Sequence, residues 1–173
     1  MRKSLPVVLL FAVISLNSTT VIAKDFCPES VQAVILLKVL GYTNKIGGVE
    51  KNNITIGILN GGQMVEQLKS AAEKSTDKKV TVKEIASSNL EGIDIVYIPK
   101  GTSDGEIKKV TEEAKKKKIF TIAGDPEFMN NYSITFNVYL EEQKPKLMVD
   151  LESSEKEGVS FSAELLKISQ RKQ

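Results

Sequence analysis

The chain has 173 residues, of which 41% are hydrophobic and 27% charged, a balance that suits one globular domain with its own core. Its 24 Lys+Arg exceed its 22 Asp+Glu only through Arg2 and Lys3, so from Lys24 onward the two signs balance at 22 each, which argues against a nucleic-acid partner. Histidine is absent, which removes the commonest general base, the commonest metal ligand and every Ser-His or Cys-His nucleophile; no enzyme and no cofactor are expected.

In chain order, the first segment has the three parts of a secretory signal: basic Arg2-Lys3, an apolar stretch from Leu5 to Leu16, and a polar patch ending in Val21-Ile22-Ala23. About 12 apolar residues are too few to cross a membrane core that needs roughly 20. Cleavage after Ala23 is expected, leaving residues 24–173 as a single exported domain without a membrane span. Cys27 is the lone cysteine and cannot form an internal disulfide. An inert, half-buried thiol is expected, the alternative being a disulfide between two chains in a homodimer.

Val31 to Leu40, closed by Gly41, reads as a helix with a wide buried face. Thr43 to Asn53 is a polar connection. Ile54 to Leu59 is β-branched and bounded by Asn60-Gly61-Gly62, and Met64, Leu68, Ala71 and Ala72 recur behind it at helical spacing, giving strand, Gly-rich turn and helix. Val80, Val82 and Ile85 suggest a second strand, and Ile93 to Ile98 a third, buried on both faces. A helix follows, with Ser103 and Glu106 spaced as a capping box, an inner stripe of Ile107, Val110 and Ala114, and a solvated Lys115 to Lys118 end.

Ile119 to Ala123 is the fourth strand, and strands alternating with helices imply a mainly parallel sheet covered on both sides. After Asp125-Pro126 the pattern changes to alternation at Ile134, Phe136, Val138 and Leu140. A Glu141 to Pro145 turn and a second alternation at Leu147, Val149 and Leu151 complete an antiparallel hairpin. Gly158 precedes a terminal helix expected to bury Leu165, Leu166 and Ile168. The fold class is therefore α/β, a three-layer Rossmann-like sandwich with a mainly parallel sheet and a C-terminal antiparallel hairpin.

Strand ends converge at the carboxyl edge of such a sheet, so Asn60, Gly61, Gly62, Lys100, Gly101, Asp125 and Phe128 are candidates for one ligand-binding rim. The turn lacks the Lys and Ser/Thr of a P-loop and the third Gly of a dinucleotide fingerprint, so a plain tight turn is the competing reading. Phe26, Tyr42 and Tyr132 lie beside expected loops and are candidate anchors for a protein partner.

From Ile119 to Lys172 the chain resembles the YfiR family of periplasmic proteins. The residues that carry the resemblance are Thr121-Ile122-Ala123, Asp125-Pro126 and Phe128, then Ile134-Thr135-Phe136-Asn137-Val138, Lys146 to Leu151, and Gly158 to Lys167. Asn131-Tyr132 stand where the family has Gly-Gly, and Asn60-Gly61-Gly62-Gln63 where it has Gly-Asp-Pro-Phe. The resemblance implies a periplasmic regulator that binds the periplasmic region of an inner-membrane signalling protein, typically a diguanylate cyclase. The residues themselves leave a rival open, a small periplasmic solute-binding module. A cleft at the strand ends favours the rival, and an exposed apolar patch favours the regulator.

Overall fold

A computed structural model describes residues 24–74, 78–86 and 89–172; the expected signal at 1–23 lies outside the described residues. In chain order the elements are β1 (Asp25–Phe26), α1 (Glu29–Gly41), β2 (Thr43–Lys45), β3 (Asn53–Leu59), α2 (Gln63–Ala72) and β4 (Lys79–Ile85). β5 (Ile95–Ile98), α3 (Asp104–Lys117), β6 (Phe120–Ala123), α4 (Pro126–Asn131), β7 (Phe136–Glu141) and β8 (Lys144–Val149) follow. The chain ends with α5 (Leu151–Glu157), β9 (Ser160–Phe161), α6 (Ala163–Ile168) and β10 (Ser169–Arg171).

An 8-stranded sheet forms the middle layer in the order β10-β8-β7-β6-β5-β3-β4, with β1 paired to β7. β4, β3, β5, β6 and β7 are mutually parallel, and β8 turns back antiparallel to β7. Glu142 and Gln143 both take the left-handed conformation, which matches a two-residue turn to the twist of its strands. Alternate strand residues face opposite sides. Ile56, Ile58, Tyr97, Phe120, Ile122 and Phe136 meet α1 and α2, while Val96, Ile98, Ala123 and Tyr139 share the second core with α3. The expected sandwich is thus present, its two cores separated by strands apolar on both faces.

The C-terminal expectations need correction. Leu151 does not continue the hairpin: Asp150 accepts a hydrogen bond from the Ser153 amide at 3.0 Å, caps α5, and leaves Leu151 40% exposed. α5 turns Ser153, Ser154 and Glu157 inward, so its buried side is polar and no hydrophobic period marks it. The terminal helix is a six-residue segment that buries Leu165, half-buries Leu166 and leaves Ile168 69% exposed. Its shortness has a cause in the sheet: from Ser169 the chain becomes extended and pairs parallel to β8, and a strand cannot continue a helical stripe.

Candidate functional site

β3 is flanked by β4 on one side and β5 on the other, all parallel, so the chain reverses its direction of travel across the sheet between β3 and β5. Crevices open at such switch points, outside the carboxyl ends of the strands. Here an open cavity of about 300 Å³ is lined by Leu59 to Gly62 from the end of β3, Pro99 to Thr102 from the end of β5, and Glu29 and Glu106 from the starts of α1 and α3. Five of the seven rim residues expected from the sequence, Asn60, Gly61, Gly62, Lys100 and Gly101, therefore meet in one place. Asp125 is next to them, 3.6 Å from the Lys100 ammonium, but its carboxylate also accepts from the Glu127 amide and caps α4. Phe128 is off the cavity, half-buried with its ring centre 6.3 Å from that of Tyr132.

The Gly-rich turn is built for close approach. Asn60 and Gly61 both have positive φ, and a Cβ at Gly61 would fall 2.5 Å from the Glu84 carboxyl carbon. Asn60 donates to Glu106 at 3.0 Å, and Ser103 donates to the same carboxylate at 2.9 Å; these bonds hold Glu106 below the usual carboxylate range. Ser103 thus occupies the N-cap of α3, yet its hydroxyl is spent on Glu106 rather than on a backbone amide, so only part of the expected capping box forms. Burial raises the Glu29 carboxyl above its ordinary value.

Beneath the rim lies a buried polar network that hydrophobic patterning does not reveal. Gln32, which reads as a break in an apolar run, is turned inward; its amide donates to the carbonyls of Cys27 at 2.6 Å and Gly124 at 3.0 Å, and accepts from the Tyr97 hydroxyl at 3.1 Å. Gly124 is required here, because a Cβ would sit 2.7 Å from that hydroxyl and 2.9 Å from the Ile98 carbonyl oxygen. Cys27 is fully buried rather than half-buried, and burial pushes its thiol pKa up.

The three aromatic candidates separate. Phe26 lies at the rim, lining a second open cavity with Pro28, Glu29, Ser30, Gln63 and Gln67, and the Lys100 ammonium stands 4.8 Å over its ring. Tyr42 lies at the far end of α1 and is 49% exposed, while Tyr132 ends α4 on the other face of the sheet. A further feature lies between two of them. α1 is apolar on nearly every side: Ala33, Leu36, Leu37 and Leu40 are buried, yet Val31 and Val34 are 36% and 49% exposed. With half-buried Ile35 they make a short outward apolar patch on the first turns of α1, near Phe26 and Pro28, and exposed Lys38 one turn on separates that patch from Tyr42. An apolar run wider than one buried face was the sequence signal for it.

A buried carboxylate occupies the opposite edge of the sheet. Glu157, the last residue of α5, accepts from the Thr121 amide at 2.9 Å and from the hydroxyls of Thr121 and Thr135 at 2.6 Å each. No cation pairs with it among the described residues, and desolvation, opposed by those hydrogen bonds, pushes its pKa up to about 7.

The family model described as YfiR/HmsC-like matches residues 29–170, so the chain belongs to that family. No curated protein matches it. Among solved structures it is similar to an ABC domain in complex with L-Trp from Streptococcus pneumonia, at 16% identity and a TM-score of 0.58. The match covers 83% of this chain and 60% of that one, so the chain spans less than two thirds of its neighbour, and the likeness is one of fold.

Proposed function

We propose that this member of the YfiR/HmsC-like family is a periplasmic, non-enzymatic regulator that binds the periplasmic region of an inner-membrane signalling protein, such as a diguanylate cyclase or sensor kinase, and restrains it. In this reading residues 1–23 direct export, and residues 24–173 act as one domain. Family membership supports this class of partner. The observation that carries binding is the outward apolar patch of α1, Val31 and Val34 with half-buried Ile35, near Phe26, with Tyr42 beyond Lys38, because exposed apolar side chains grouped on a neutral protein are the ordinary mark of a protein partner.

Val34→Asp tests this without touching the core. It is expected to leave the fold intact, to abolish crosslinking to a membrane protein that carries a cyclase or kinase domain, and to raise cyclic diguanylate as deletion of the gene does. Unchanged output in both the variant and the deletion overturns the reading.

The solute-binding reading keeps one specific observation in its favour, the cavity at the switch point lined by Asn60, Gly61, Gly62, Lys100 and Gly101. The neighbour in complex with L-Trp has a related fold. The cavity is open and shallow, however, and carries the Glu29 and Glu106 carboxylates on its wall. Saturable binding of L-tryptophan by isothermal titration, lost in Lys100→Ala, would move this reading ahead.

A further inference from the structure

Far from the rim, on the α4 side of the sheet, a cavity of about 310 Å³ lies against β8 and β10. Its lining is Lys24, Asn130, Met148, Gln170, Arg171 and Lys172: three cations, two amide side chains and one apolar residue. The other cavities described above and the one beside Asp150 each carry at least one carboxylate on their walls. We propose that this cavity is an anion site that takes a phosphate group.

The charge is assembled by the fold. Lys24 precedes β1 at one end of the chain, and Arg171 and Lys172 stand at the other. β10 brings them together by pairing Ser169, Gln170 and Arg171 with Leu147, Met148 and Val149, and the Lys172 amide extends the ladder to the Val149 carbonyl at 2.9 Å. In a chain whose charges cancel overall from Lys24 onward, three cations around a cavity with no carboxylate in its lining form a local concentration of one sign.

The three cations are held differently. The Lys172 ammonium donates to the Tyr132 carbonyl at 3.0 Å and lies 3.3 Å from Asp150, which fixes it in place. Lys24 and Arg171 have no carboxylate partner among the described residues, and the Lys24 ammonium stands 5.4 Å over the ring of Tyr139. That tyrosine is fully buried, and its hydroxyl has no hydrogen-bond partner among the described residues. Cleavage after Ala23 would give Lys24 a second positive charge at its new amino group.

A phosphate suits this set better than a single carboxylate, because it carries up to two charges and enough oxygens to meet a guanidinium fork, two ammonium groups and the Asn130 amide together, while the Gln170 amide is turned to Glu141 at 3.5 Å. The phosphate belongs either to a free solute or to a phospholipid headgroup.

The test is a titration of the purified protein with sodium phosphate, followed by amide chemical shifts, beside flotation with phosphatidylglycerol vesicles and phosphatidylcholine controls. Phosphate is expected to shift the amides of residues 130, 148 and 170–172, and added sodium chloride to weaken the effect. Lys24→Gln with Arg171→Gln, both exposed, is expected to weaken binding about tenfold while keeping the circular dichroism and melting temperature. Lys116→Gln, on α3, is expected to leave binding unchanged. Binding to free phosphate alone identifies a soluble phosphate as the source, and flotation with phosphatidylglycerol but not phosphatidylcholine identifies the headgroup. Absence of both, shifts elsewhere in the chain, or unaltered binding by the double variant overturns the proposal.

Discussion

The two edges of the parallel sheet solve opposite problems. At the amino edge the space below β6 and β7 is filled: Phe120, Phe136 and Phe161 pack with ring centres 5.7 to 6.3 Å apart on one face, and Glu157 closes the other by binding Thr121 and Thr135. At the carboxyl edge, the ends of β3 and β5 diverge over an open cavity, and Asn60, Lys100 and Glu106 are partnered only at the surface. The filled edge invests its polar groups in holding elements together. The open edge keeps glycine and solvated side chains where a partner or solute can approach.

The largest expected effect therefore lies at the filled edge. Glu157→Ala leaves the Thr121 amide and two threonine hydroxyls without their acceptor and opens a cavity, with an expected loss of about 3 kcal/mol, read from the denaturant midpoint at pH 5.

The same carboxyl sets a pH dependence of similar size. Its folded pKa of about 7 lies above the ordinary value of 4.5, so the folded state binds the proton more tightly than the unfolded chain does. The contribution to stability is fully present below about pH 4.5 and is lost as pH rises through about 7, amounting to about 3 kcal/mol across that window. Melting temperature measured from pH 5 to pH 8 should fall more for the native chain than for Glu157→Gln, which keeps an acceptor but cannot ionise. Parallel curves for the two would remove Glu157 from the account.

A smaller effect probes the layer beneath the open rim. Gly124→Ala drives a methyl group against the Tyr97 hydroxyl and the Ile98 carbonyl, and is expected to cost about 1 to 3 kcal/mol in chemical denaturation. The smallest is at the rim itself: Lys100→Ala removes a solvated ion pair with Asp125 and a cation–π contact with Phe26, worth about 0.5 to 1 kcal/mol together. A loss at Lys100 as large as that at Glu157 would show that the rim is structural and end the contrast between the edges.

Much of this was legible in the residues. The strands at Ile54 to Leu59, Ile95 to Ile98 and Phe120 to Ala123 are continuous apolar runs, and such runs remain visible when both faces of a strand are buried. The meeting of Asn60, Gly61, Gly62, Lys100 and Gly101 followed from strand direction alone. What escaped was buried but polar, or extended but short. α5 hides Ser153, Ser154 and Glu157, Gln32 looks like an interruption, and β1, β2, β9 and β10 have two or three residues each.

Local sequence by itself determined the α/β class, the order of the central strands and helices, the Gly-rich turn and the absence of histidine chemistry, since each depends on residue type and on spacings within a dozen residues. Tertiary structure alone decided that Glu157 reaches Thr121 and Thr135, that Gln32 ties α1 to Tyr97 and Gly124, and that the last strand carries Arg171 and Lys172 to Lys24. The partners in these contacts are separated by 22 to 36 residues at Glu157 and by 65 to 92 at Gln32, and the cations of the third come from opposite ends of the chain. A polar side chain carries no periodic signal of its own, so whether it is buried is fixed by the donors and acceptors that the assembled sheet presents to it.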